Sequence, residues 1–147
     1  MTHTYTQLKT AINFCENLFS TPDHKEVLSF LADKEIDFTV NDVRFIKTSE
    51  IDQILADELE SDLYTLGCFT AWFIADQTKL PIEMIEACQK SEAYEALGEG
   101  IKATCDMLDF AKAFVSADGY GHHFNGYDGS EEEINLLGTD YIVFDNH

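Results

Sequence analysis

The sequence predicts an α+β fold: a helical bundle of about five helices with a small antiparallel C-terminal sheet. Three observations lead there. Apolar residues recur at helical spacing through most of the stretch from Tyr5 to Val115. The period changes to two at Ile36, Phe38 and Val40, which alternate with Asp37 and Thr39. Finally, Gly119, Gly121, Gly126, Gly129 and Gly138 punctuate the chain after Asp118, where helical periodicity stops. At 147 residues the chain has the length of one domain, with a helical part at about 1–117 and a β-meander at about 118–147.

The elements follow in order. A first helix is predicted over Tyr5–Phe19, with Leu8, Ile12, Cys15 and Phe19 on one face. Ser20-Thr-Pro-Asp23 opens a second, with Thr21 as N-cap and Pro22 in the first turn, burying Val27, Leu28, Phe30 and Leu31. Ile36–Val40 reads as a strand, Asn41-Asp42 as a turn and Val43–Ile46 as a second short strand. Ser49, with Asp52 three residues on, resembles a capping arrangement for a third helix carrying Ile51, Ile54 and Leu55 inward.

Leu63–Asp76 is the most apolar stretch and reads as the central core helix, with Leu66, Phe69, Trp72, Phe73 and Ile74. Gly67 within it costs about 1 kcal/mol relative to Ala, which points to close approach of a neighbouring helix. Pro81 starts a further helix, and a last one spans Glu92–Val115, with Gly98 and Gly100 as points of interruption. In the C-terminal third, Asp128-Gly129 is a hairpin signal and Leu137–Asp140 a second turn. Tyr141, Val143 and Asp145 fall on one strand face and Ile142 and Phe144 on the other, and the Ile36–Ile46 segment is placed to extend this sheet.

Charge bounds the function. The chain has 28 Asp and Glu against 9 Lys and Arg, a formal net charge of −19. Two long windows hold no Lys or Arg. Thr48–Thr78 contains Glu50, Asp52, Asp57, Glu58, Glu60, Asp62 and Asp76; Ala113–His147 contains Asp118, Asp128, Glu131, Glu132, Glu133, Asp140 and Asp145. Such a field repels nucleic acid and anionic membrane and attracts basic partners. The 45% hydrophobic content and eleven Phe supply a core, so the charge does not signify disorder. No signal peptide or membrane span is read, and Cys15, Cys68, Cys88 and Cys105 form no Cys-x-x-Cys pair, so reduced thiols and a cytoplasmic location are expected.

Two constellations compete for chemistry. On the predicted third helix Glu50, Asp57 and Glu60 share the side opposite the apolar residues, with Asp62 towards its edge; Glu131, Glu132 and Glu133 form a second acidic cluster. Duplex DNA carries one charge per ~1.7 Å of axis, and a helix rises ~1.5 Å per residue. A carboxylate every few residues is thus a sparse imitation of a phosphate row.

The other constellation is Asp118, His122, His123 and Asp128, where Asp118–His122 or His123–Asp128 would make a polar pair. Adjacent strand residues point to opposite faces and no regular ligand spacing occurs, so no metal is assigned there. No nucleophile elbow, phosphate loop or dinucleotide fingerprint is present, and no cofactor is indicated.

Asp118-Gly-Tyr-Gly-His-His-Phe-Asn-Gly-Tyr-Asp-Gly-Ser-Glu131, followed by Tyr141-Ile-Val-Phe144, resembles a pattern in small acidic proteins of bacteriophages and other mobile elements. Ser61–Phe69 and Leu80–Cys88 share that resemblance, which covers the chain from about Asp42 onward. It implies a phage-like context inside a bacterial host cell, where compact acidic proteins inhibit nucleic-acid-handling machinery, including restriction and CRISPR effectors. It assigns no role to any residue.

The leading expectation is a non-enzymatic acidic binding module. It would be a phage-type inhibitor or nucleic-acid mimic that docks on a basic protein surface, with no direct contact to nucleic acid or membrane. The alternatives are a small metal- or ligand-dependent enzyme built on Asp118–Asp128, and a structural or assembly protein whose acidity serves solubility.

Overall fold

The computed structural model describes residues 4–146. Among them are nine helices and four strands: α1 (Tyr5–Glu16), α2 (His24–Ala32), β1 (Asp37–Val40), β2 (Val43–Lys47), α3 (Ile51–Glu60), α4 (Leu63–Gly67), α5 (Ala71–Thr78), α6 (Ile82–Lys90), α7 (Tyr94–Thr104), α8 (Met107–Asp118), α9 (Gly121–Phe124), β3 (Glu132–Leu136) and β4 (Thr139–Asp145). The α+β class is as the sequence predicts, with more helices than five. No helix among the described residues is long and apolar enough to cross a membrane.

The chain forms two compact units. One runs to Ile51 and resumes at Asp118; the other is Asp52–Ala117. The first unit is built on a fully antiparallel sheet of order β1-β2-β4-β3. Its two tight turns are Asn41-Asp42 (φ 48° and 66°) and Leu137-Gly138 (φ 51° and 86°). Both central residues of each turn are left-handed, which matches the twist of the flanking strands.

Phe38 pairs with Phe45, and Phe45 with Val143, so these side chains line one sheet face. They join Ala11, Phe14 and Cys15 of α1 and Val27 and Leu31 of α2 in a common core. Phe38 stacks on Phe45 at 4.7 Å and meets Tyr141 edge-on at 5.8 Å, and the buried Tyr141 hydroxyl donates to the Glu35 carbonyl at 2.8 Å. On the other face Phe124 of α9 packs against Phe144 at 5.1 Å. Arg44 lies 5.0 Å over the Phe124 ring while its guanidinium grips Asp37 through two hydrogen bonds of 2.9 and 2.7 Å.

Four readings of the sequence need correction in this unit. α1 ends at Glu16, so Phe19 is not on its buried face but 82% exposed, with its backbone N–H donating to Asp145 Oδ2 at 2.7 Å. The cap of α2 is Asp23, whose carboxylate accepts from the N–H groups of Lys25 and Glu26, and Thr21 stands in a left-handed turn instead. The β-meander read from about 118 starts later, at Glu132, because Gly121–Phe124 is helical. Asp128-Gly129 closes no hairpin, because Asn125 gathers that loop around its own side chain.

The second unit is helical. α4 and α7 cross at Gly67 and Gly98, each glycine lying directly on the backbone of the other helix. Phe69 meets Phe110 and Phe114 edge-on at 5.2 and 5.0 Å, with Phe73 at 5.5 Å. Gln89 fixes the turn between α4 and α5 by donating to the carbonyls of Gly67 and Phe69 at 3.1 and 2.7 Å.

The predicted central helix is thereby two short ones, because Thr70 caps α5 by accepting from the Phe73 N–H. Its new phase carries Trp72 out of the core to 74% exposure. The predicted last helix also divides, at Cys105-Asp106 and not at its glycines, because Asp106 accepts from the N–H groups of Leu108 and Asp109 to start α8.

Candidate functional site

Three sets of side chains carry the polar chemistry, each placed by its own local structure. The first is the outward side of α3. Leu55, Ala56 and Leu59 are buried at helical spacing, which leaves Gln53, Asp57 and Glu60 opposite them. Gln53 Nε2 donates to Asp57 Oδ1 at 2.9 Å, holding that carboxylate outward. Glu60 is half exposed and lies 3.9 Å from Lys102 Nζ, a loose pair at the surface. Asp62 follows as the N-cap of α4: Oδ1 accepts from the Thr65 N–H at 3.1 Å and Oδ2 from the Thr65 hydroxyl at 2.7 Å. Glu50 is exposed in the turn before α3 and belongs to the first unit.

The second set is Glu131–Glu133. All three are exposed, yet they do not share a surface line. Glu131 turns back, its Oε1 accepting from the Gly121 N–H at 2.9 Å at the start of α9. Glu132 and Glu133 sit on the edge strand β3 opposite Val143 and Ile142, so they point to opposite faces of the sheet. Carboxylates on an edge strand also discourage pairing with another strand.

The third set is the Asp118–Asp128 segment, and here an unanticipated residue organises the geometry. Asn125 is 3% exposed and its Nδ2 donates to Asp128 Oδ1 and to the Ser130 carbonyl, both at 2.9 Å. Its Oδ1 accepts from the N–H groups of Tyr127 and Asp128 at 3.0 and 3.3 Å. Asp128 Oδ1 accepts in addition from the Ser130 N–H and hydroxyl at 3.0 and 2.7 Å. Asp128 is therefore bound into the loop as a turn-forming carboxylate.

His122 and His123 are neighbours on α9, with His123 edge-on to Phe124 at 4.8 Å. Asp118, at the end of α8, is exposed. Among the described residues no group of three or more His, Cys, Asp or Glu is placed to hold a metal ion.

Burial raises the titration of two thiols and one phenol elsewhere in the chain. Burial, with Glu16 adding to it, pushes the Cys15 thiol up to about 11, and burial raises Cys105, with Asp106 and Asp109 contributing. Tyr141 is raised by burial and then by Glu35.

Sequence reasoning missed Asn125 and Trp72. The Asn-x-x-Asp-x-Ser spacing at 125–130 was a signal for the first, since Asx side chains bond backbone groups two and three residues on. For Trp72 the signal was Thr70, a capping residue inside an apolar run. The chain matches no protein-family model, and comparison with curated proteins and with solved structures finds no match.

Proposed function

We propose that this protein is an acidic binding module that presents carboxylates to a basic surface of a nucleic-acid-handling or defence protein, as a phage-type inhibitor or nucleic-acid mimic. The observation that supports this reading best is the outward side of α3. There Asp57 and Glu60 face solvent within a window, Thr48–Thr78, that contains no Lys or Arg. Their separation along the helix axis is about 4.5 Å, from ~1.5 Å per residue. That spacing is within reach of two neighbouring cationic side chains on a partner. Glu50 and the pair Glu132 and Glu133 add carboxylates on the first unit. The net charge of −19 supplies the long-range attraction that speeds encounter with a cationic partner.

Affinity capture from bacterial lysate tests the reading. The native protein should retain a basic partner at low salt and release it at high salt, and the Asp57→Lys/Glu60→Lys variant should retain far less. Capture that is indifferent to salt and to charge reversal would defeat it.

A further inference from the structure

Trp72 is the chain's single tryptophan, and the fold makes little use of it. It stands 74% exposed on α5, and among the described residues its indole has no hydrogen bond and no ring partner. One helical turn on, Asp76 is exposed on the same side of the helix and likewise has no hydrogen-bond or ion-pair partner among the described residues. Exposed tryptophan is costly to solubility and is enriched among the residues that dominate binding energy at interfaces.

We infer that Trp72 and Asp76 form an arginine-binding anchor. An arginine from a basic partner would lay its guanidinium on the indole face and direct its N–H groups to the Asp76 carboxylate. This inference rests on the acidic-docking reading and names the side chain that this surface takes.

Arginine fits better than lysine, because its planar, weakly hydrated group stacks and bonds a carboxylate at once, whereas ammonium is a compact, strongly hydrated charge. The chain already contains the same arrangement. Its only arginine, Arg44, bonds Asp37 while lying over the Phe124 ring. With Arg44 committed there, a second copy of this chain has no other arginine to offer, and its own net charge of −19 opposes self-association. The cation therefore comes from a different protein.

The test uses the full-length protein and a short peptide of alternating arginine and glycine, with a lysine analogue of equal length and charge. Emission from the sole tryptophan reports on the site directly. The arginine peptide should change it saturably, and the lysine analogue should bind more weakly. In calorimetry Trp72→Ala should weaken the arginine peptide by about 3- to 30-fold, Trp72→Phe by less, and Asp76→Asn measurably. All three should leave the thermal unfolding curve nearly unchanged, because both side chains are exposed.

Salt-sensitive binding with unaltered emission and full affinity in Trp72→Ala would overturn the anchor while leaving acidic docking intact. An emission change on raising protein concentration alone would assign the face to a second copy and overturn the partner named here. Absence of any salt-sensitive binding to the arginine peptide would overturn both readings.

Discussion

Gly67 and Gly98 seat α4 and α7 on one another reciprocally: Gly67 lies against the backbone of Tyr94, and Gly98 against the backbone of Leu63. A β-carbon on Gly67 would come within 2.8 Å of the Tyr94 α-carbon, and one on Gly98 within 2.8 Å of the Leu63 α-carbon. Backbone cannot yield as a flexible side chain does, so the helices would have to separate. Gly100 on the same helix is the natural control, since a β-carbon there meets only Leu80 Cδ1, at an ordinary 3.8 Å.

Gly98→Ala should therefore destabilise the protein by about 2 kcal/mol or more, the overpacking cost exceeding the helix-propensity gain. Gly100→Ala should stabilise it by about 0.5–1 kcal/mol, because only propensity and unfolded-state entropy change. Urea unfolding of the two variants checks the pair, and equal effects would contradict the crossing.

Asn125 should be the most sensitive polar residue of the 118–130 segment. Asn125→Ala removes every hydrogen bond that this buried side chain donates and accepts, and should cost about 1–3 kcal/mol. His122→Ala, on an exposed side chain, should cost less than Asn125→Ala in the same urea titration.

Alkaline pH should weaken the fold through its core. The Cys15 thiol is held at about 11 against an ordinary 9.0, and Tyr141 is also raised. A raised pKa means that the folded state keeps its proton where the unfolded state has lost it. The stability contribution is complete below about pH 9 and falls as pH rises towards 11. Cys15→Ala should flatten that part of the stability profile. With a thiol reagent at neutral pH, the exposed Cys68 should react first and the buried Cys15 last; equal rates would contradict the burial.

Moderate salt should raise the melting temperature, because screening reduces repulsion among the excess carboxylates. A scan across salt concentration at constant pH measures it, and a flat or falling Tm would count against this account.

The sheet was legible because alternation is a strong signal. Tyr141–Asp145 distributes its side chains over two faces as the period of two requires, and Asn41, Asp42 and Gly138 are residue types that tolerate the positive φ of their turns. Gly67 was legible because a glycine in an apolar helix usually marks close packing. Helix ends hidden inside apolar runs were not legible. Asp106 and Thr70 act as caps within continuous apolar periodicity, and one capping bond resets the phase of everything that follows; Trp72 was misplaced inward for that reason. The Asp128-Gly129 hairpin signal lost to Asn125, a local side-chain competitor for the same backbone groups.

The most direct measurement of the central claim is the association rate with a captured basic partner as a function of ionic strength, for the native protein and for Asp57→Lys/Glu60→Lys. The rate should fall steeply with salt in the native protein and show a slower, flatter dependence in the variant. Identical rates and salt slopes for the two proteins would contradict it.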